Sequence, residues 1–369
     1  MIKRLLNLAQ AIAAVAVLMR LSTGAQRIPA VRAQHGHSQP ARRKRVSVVI
    51  PARDEAKRIS ACLEGLALVP TDELIVVDDE STDETAGVAV AGGAKVVAGL
   101  PLPPGWVGKP WALQQGLEAA KGDWVVFLDA DTIPEAGLID AAIAAAEDGE
   151  AHVLSLACRF RCASLLQRTL HASMLFTLIY RFGPIGTRVA PSPSRTIANG
   201  QCMIVRREWL LNQGGFAICA SNMTDDIAFA RGLAERGARI MFLDGTELIS
   251  VRMHDTTKEV WSEWGRSLPM VDVSTRRTQV LDLATIWLTT ALPMVRLALS
   301  RTTALDRLLL GLRYLLCLPL IGSYEKAVPA LFLSPLTDVA AAVRLTQTTL
   351  MPVRSWRGRN YVAPRNANQ

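Results

Sequence analysis

Asp129 and Asp131 stand two apart at the end of the apolar run "WVVFLDADTIPEAG", Trp124 to Gly137. If a strand continues through them, both carboxylates project to one side, where they can share a divalent cation, Mg2+ or Mn2+, beside an anionic ligand. The competing reading is a helix cap, with Asp131 or Thr132 starting a helix whose first turn holds Pro134 and Glu135. The tripeptide alone leaves both open.

More charge gathers in two other stretches, "PARDEAKRI" from Pro51 and "VVDDESTDETA" from Val76. Arg53, Glu55, Asp78 and Asp79 add a density of charge that folding does not require. "LPPGWVGKPWALQQG" sets Lys109 before a helix carrying Leu113 and Leu117, so an ammonium and a helix N-terminus can face the same anion. "MTDDIAFARGLAERG" puts Asp225 and Asp226 in the first turn of a helix that ends near Gly237; by itself this reads as two acids complementing the helix dipole. In "TIANGQCMIVRREWLLNQGGF", Asn199 and Gly200 lead into an apolar strand and Gly214-Gly215 force a tight turn.

The elements that must carry these residues are short. "VSVVIP", "ELIVVDD", "AKVVA" and "DWVVFLD" are β-branched runs too apolar for a half-exposed strand, and helical periodicity separates them. Ile59, Cys62, Leu63 and Leu66 fall at i, i+3, i+4 and i+7, and Ser81 with Glu84 predicts a capping box for a helix closed by Gly92 or Gly93. The pattern predicts an α/β fold: a Rossmann-like, mostly parallel sheet with helices on both faces. Ligands of such sheets sit outside the carboxyl ends of the strands, where the charged residues fall. Neither G-x-G-x-x-G after the first strand nor G-x-x-x-x-G-K-[ST] anywhere is present, so a dinucleotide fold and a P-loop are not supported.

Together these motifs resemble the family 2 glycosyltransferases of GT-A fold, with P-x-[RN]-[ND]-E, then V-[DV]-D-[DG]-x-S-x-D-x-T, then D-x-D, in that order over residues 46 to about 240. The resemblance implies that Pro51, Arg53 and Glu55 line the base and ribose of a UDP-sugar, and that Asp79, with Asp78 as alternative, reads the uracil edge. It implies that Asp131, with Asp129, reaches the divalent cation on the diphosphate. Gly108, Lys109, Ala112, Leu113 and Gly116 match G-K-x-x-A-L-x-x-G, Asn199, Gly200 and Gly215 border the donor sugar, and "TDD" makes Asp226 the catalytic base with Asp225 as support. The processive members' Q-x-x-R-W is absent; "KEVWSEWGRSL" stands there instead, which points to single sugar addition. Trp261 and Trp264 in that stretch are acceptor-site candidates or interfacial residues. "LPPGWVGKPWAL", the "TDD" helix, the apolar C-terminal segments and the tail "WRGRNY" resemble the hopene-associated and bacterial carotenoid (diaponeurosporenoate-type) glycosyltransferases, which implies a membrane isoprenoid lipid as acceptor. A polyprenyl-phosphate sugar transferase is the nearest alternative. A nucleotidyltransferase is more remote, since "PARDEAKRI" has no glycine.

The remaining sequence agrees with a membrane setting. Half of the residues, 50%, are hydrophobic and only 5% aromatic, and the apolar ones concentrate at both ends. The balance of 41 Lys and Arg against 33 Asp and Glu gives +8, without the aromatic-studded basic patch of a nucleic-acid binder. Residues 1–22 are expected to be an uncleaved membrane anchor rather than a signal peptide, because Arg20, Arg27, Arg32 and the block Arg42 to Arg45 follow it and hold the catalytic domain in the cytoplasm at the cell membrane. A basic tether over 23–45, a GT-A domain over 46–270, membrane-associated helices over 271–350 and a tail over 351–369 complete the expected organisation. The apolar C-terminal runs are interrupted by Asp282, Arg296, Arg313 and Asp338, which are expensive inside a membrane. The six cysteines are scattered and read as reduced thiols.

Overall fold

The β-branched runs become strands of one seven-stranded sheet in the computed structural model, which describes residues 1–33, 44–352, 355–356 and 359–361. His35, His37, Arg42 and Arg43 of the tether and part of the C-terminal tail lie outside the described residues. The chain divides into two compact units.

The first unit comprises Ile28–Arg159, Ala190–Met253 and Arg354–Gln369. Its strands are β1 (Val46–Ala52), β2 (Glu73–Asp78), β3 (Lys95–Ala98), β4 (Trp124–Leu128), β5 (Thr132–Pro134), β6 (Val153–Ala157), β7 (Cys202–Arg206), β8 (Ile240–Asp244) and β9 (Ile249–Val251). The sheet runs β3-β2-β1-β4-β7-β6-β8 and is parallel except for β7, which is antiparallel to both neighbours. Val48 faces Val126 across β1 and β4, and Val126 faces Ile204 across β4 and β7. Every residue of β4 is buried, and because successive side chains point to opposite faces, both faces of the sheet are covered there; the edge strand β3 is half-exposed, with Lys95 and Ala98 in solvent, against the expectation from its apolar run. The chain leaves β3 on one side of β1 and returns as β4 on the other, which opens a crevice at the carboxyl ends of β1 and β4.

The helices of this unit are α1 (Ala56–Leu66), α2 (Thr85–Ala91), α3 (Gly108–Ala119), α4 (Leu138–Asp148), α5 (Arg207–Asn212) and α6 (Asp225–Glu235). Ile59, Cys62, Leu63 and Leu66 are the buried face of α1, as their spacing predicts. At Gly116 of α3 a Cβ would lie 2.2 Å from Val49 Cγ1, so the helix can rest on β1 only because that side chain is missing.

Two local expectations are corrected. Helix α2 has no side-chain cap: Ser81 Oγ accepts the Asp54 N–H at 3.1 Å instead of capping the helix, so the Ser81–Glu84 box does not form. The strand of "WVVFLDADT" stops at Leu128 rather than running through both aspartates. Asp129–Asp131 form a turn, closed by Thr132 N and Oγ1 on the Asp129 carbonyl at 3.1 and 2.7 Å, and the chain continues into β5. The next helix begins at Leu138, after Gly137 at φ 83°, so neither Asp131 nor Thr132 is a helix cap.

The second unit comprises Met1–Arg27, Phe160–Val189 and His254–Val353. By packing, Phe160–Val189 and residues 254–270 therefore group with the terminal helices, where the sequence boundaries set them in the catalytic domain. The reason is the helix Leu165–Phe182, whose Leu170, Met174, Phe176 and Tyr180 share a core with Val17, Leu331 and Leu345. Among the described residues, three helices are long and apolar enough to cross a membrane by length and composition, Ile2–Gln26, Arg276–Ala298 and Ala327–Leu350. The interrupting charges are paired inside the unit. Arg313 grips Asp338 with two bonds of 2.9 Å while lying 3.4 Å over the Phe176 ring, and Ser173 Oγ donates to the same carboxylate at 2.7 Å. Arg296 pairs with Asp306 at 3.1 Å and Arg181 with Asp282 at 3.8 Å. All six cysteines are free thiols.

Candidate functional site

The loops after β1 and β2 are built as one piece. Asp54 Oδ1 accepts the Thr82 N–H at 2.7 Å and Asp83 Oδ2 the Ala56 N–H at 3.1 Å, so these two acids staple the loops to each other. Asp54 and Glu80 both adopt the left-handed conformation, φ 53° and 55°, which costs a non-glycine residue about 1–2 kcal/mol. Those turns aim Arg53 and Asp79 together: Arg53 donates to the Asp79 carbonyl at 2.5 Å and lies 3.9 Å from its carboxylate. Asp79 is 3% exposed. Burial raises its pKa above the ordinary carboxylate range, while Arg359 and Arg53 pull it back. Pro51 is half-buried opposite Val77 of β2, and Glu55 opens α1 and pairs with Arg58 at 3.5 Å. Asp78 Oδ1 is buried without a hydrogen-bond partner.

Across the crevice stands the first turn of α3. Lys109 is its second residue, and its Nζ contacts Asp129 Oδ1 at 2.7 Å. Burial works against the ammonium, but Asp129, Asp225 and Asp226 outweigh it and hold the lysine charged. Asp131 Oδ1 is buried and lacks a hydrogen-bond partner. Its carboxyl is pushed up to about 7, first by burial and then by the charges of Asp129 and Glu55. An acid left without a donor among other acids suits a cation ligand. Among the described residues no cluster of three or more His, Cys, Asp or Glu could by itself hold a metal ion. A cation here would therefore take one or two carboxylates from the protein and its other oxygens from the ligand.

The third side comes from the segment before β7 and from the start of α6. Asn199 and Gln201 bond reciprocally at 2.7 and 3.0 Å, and Ser155 Oγ accepts the Asn199 N–H at 2.8 Å. That clamp fixes Gly200, whose N–H donates to Asp226 Oδ2 at 3.2 Å. A Cβ on Gly200 would lie 3.3 Å from Lys109 Nζ and 3.2 Å from Asp226 Cβ, so the lysine, the glycine and the acid meet at one point. The Ile227 N–H reaches Asp226 Oδ1 at 2.8 Å. Burial raises Asp226 above its usual range and pushes Asp225 up to about 7, with Lys109 opposing both. Gly215, at φ 62°, sits where a side chain would strike Gln114, which receives the Phe216 N–H at 2.8 Å. Gly215 thus shapes the turn behind α3 and makes no described contact with the acids.

Trp261 and Trp264 lie in the helical unit, and their described contacts are packing: Trp264 stacks on His171 at 3.8 Å, and Arg344 lies 5.4 Å over Trp261. Sequence reasoning missed Gln201, whose clamp carries no motif, and Arg359, whose guanidinium bonds Asp79 Oδ2 at 2.6 Å from far along the chain. The signal for Arg359 was the basic-aromatic string "WRGRNY", which supported the family resemblance but gave none of its residues a place in the site.

Residues 47–212 match the model of Glycosyl transferase family 2. A stretch of 94 residues is 47% identical to the glucosyl-3-phosphoglycerate synthase of Mycolicibacterium paratuberculosis, covering 24% of this chain and 29% of that protein. The 4,4'-diaponeurosporenoate glycosyltransferase of Staphylococcus haemolyticus is 25% identical over 250 residues, 66% of each chain. The chain thus spans under a third of the first relative and about two thirds of the second. A solved mannosyltransferase of Pyrobaculum calidifontis, in complex with GDP-Man and Mn2+, shares the fold at a TM-score of 0.58 with 18% identity, over 95% of this chain and 99% of that one. Residues 47–212, a little under half of the chain, are a glycosyl transferase family 2 domain.

Proposed function

We propose that this chain is a membrane-associated, metal-dependent, inverting glycosyltransferase that moves a sugar from a UDP-sugar to the hydroxyl or carboxyl of a lipid, of isoprenoid type. The observation that carries the reading is the meeting of Lys109, Gly200 and Asp226 beside Asp129 at the carboxyl end of the sheet. The lipid acceptor draws support from the carotenoid-acid relative and from the three apolar helices, and the basic residues after the first of these support a cytoplasmic catalytic unit.

The residues divide the work by charge. Asp226, held by two backbone N–H groups and raised by burial, is oriented to take a proton from an acceptor hydroxyl as its oxygen attacks the anomeric carbon. Lys109, kept charged among three acids, stabilises the negative charge that develops on the leaving diphosphate. Asp131 with Asp129 would hold the divalent cation, which when bound neutralises the diphosphate. Pro51, Arg53, Glu55, Asp78 and Asp79 form the edge for base and ribose, with Asn199 and Gly200 on the sugar side. Direct displacement inverts the anomeric centre.

The test is to incubate membranes carrying the full chain with labelled nucleotide sugars and Mn2+, and to identify the labelled lipid by mass. A labelled lipid that disappears in Asp131→Ala and Asp226→Ala proteins of normal abundance is the expected result. Turnover unchanged in both variants, or labelling from no donor, refutes the assignment; a phosphate-linked product formed without Asp226 would instead identify a polyprenyl-phosphate sugar transferase.

A further inference from the structure

The donor site carries a contact that its proposed role does not need. Arg359 donates to Asp79 Oδ2 at 2.6 Å and also pairs with Glu80. Two residues on, Tyr361 Oη accepts the Gly108 N–H at 3.3 Å, at the first turn of α3. The segment is held in shape by its own pairing, Ser355 with Asn360 and Trp356 with Arg359. The fit is close: a Cβ on Gly108 would come within 2.7 Å of both the Arg359 guanidinium and the Asp79 carboxylate.

These are the groups a nucleotide would want. The Asp79 carboxylate is the acceptor suited to a base N–H, and the N–H at the start of α3 belongs to the set that faces phosphate oxygens. A wall of a binding site leaves such groups open to the ligand. Here both are already bonded, and Asp79 retains only 3% of its surface.

We propose that the segment bearing Arg359 and Tyr361 is a strap seated on the base edge of the donor site, which the nucleotide must displace in order to bind. The proposal rests on the donor-site reading above. Its consequence is competition: part of the intrinsic affinity for the nucleoside diphosphate is spent in lifting the Arg359 fork from Asp79 and Glu80.

The test uses the full chain in detergent, with UDP and Mn2+ as the probe. Arg359→Ala should bind UDP about tenfold more tightly, the factor for losing one competing charge-assisted hydrogen bond at a partly exposed site. Arg359→Lys, which keeps the charge and loses the fork, should fall between. Hydrogen exchange supplies the second readout: UDP should speed exchange in the peptide carrying Arg359 and Tyr361, while unchanged protection of β1 and β4 shows that each variant is folded. Equal or weaker UDP binding by Arg359→Ala, or slower exchange of that peptide with UDP, overturns the strap and leaves the donor site standing. If UDP binds neither wild type nor variants, the donor-site reading fails and the strap falls with it.

Discussion

Replacing Asp225 by Asn should make the chain more stable at neutral and alkaline pH, and the size and pH dependence of the gain can be worked out. The folded environment pushes this carboxyl from 3.8 up to about 7, first by burial and then, against the pull of Lys109, by Asp226 and Asp129. At about 1.36 kcal/mol per tenfold, the ceiling on the penalty is about 4 kcal/mol. The residue is half-buried, so solvent screening brings this to about 2 kcal/mol. Asp225 is also the first residue of α6, and an acid there returns roughly 0.5 kcal/mol through the helix dipole, which Asn forfeits. The net gain is about 1.5 kcal/mol, or roughly 3–6 °C for a unit of this size. The sign follows from proton counting. Between pH 4 and 7 the folded chain keeps a proton on Asp225 that the unfolded chain has lost, so stability falls as pH rises through that window. Asn removes the fall. Thermal melts of wild type and Asp225→Asn in detergent at pH 4, 6 and 8 should show the gain grow from a few tenths of a kcal/mol to its full value. A variant less stable at pH 8, or equally stabilised at pH 4 and 8, refutes the account.

Asp226→Asn should lower kcat by about 10²- to 10⁴-fold, the usual loss for a general base, while UDP affinity measured by calorimetry stays within about twofold. Gly200→Ala should cut turnover sharply at little cost in stability, because the new methyl would press on Lys109 Nζ and Asp226 at 3.3 and 3.2 Å; unchanged kcat would show that the two groups need not meet. In the helical unit, Arg313→Met should destabilise by about 3–5 kcal/mol by stranding Asp338, and Arg313→Met with Asp338→Leu should recover most of it. Denaturant titration of the three proteins decides; an additive double variant refutes the pairing.

The sheet was legible because its signal is local. The strands β1 and β4 are runs of apolar, largely β-branched residues, and the helix that follows β1 has a buried face that repeats every three to four positions. Lys109, Asp131 and Asp226 were legible only as spaced motifs, since each alone has a bland structural use. The strand end at Leu128 was not, because Asp129 turns the chain through its carbonyl, and no side-chain pattern reports a carbonyl. The Ser81–Glu84 box failed for the opposite reason: a local signal was outbid by a tertiary partner, the Asp54 N–H. Gln201 and Arg359 were illegible because their partners are set by the packing of distant segments. The grouping of Phe160–Val189 with the terminal helices was hidden for the same reason: an apolar helix shows that it needs cover but not which surface supplies it.

The antiparallel strand Cys202–Arg206 has a consequence for how the protein is made. It is the only partner of β4 on the side away from β1, and β6 pairs with nothing until β7 or β8 exists. During synthesis β1 to β4 can assemble as soon as they emerge, but Trp124–Leu128 then forms an edge of five apolar residues with open hydrogen-bonding groups. That edge stays uncapped while more than 70 further residues are added, from Leu128 to Cys202. A chain stalled or cut in that interval presents a template for pairing with another copy of itself, so truncation before residue 202 yields aggregate rather than a smaller folded domain.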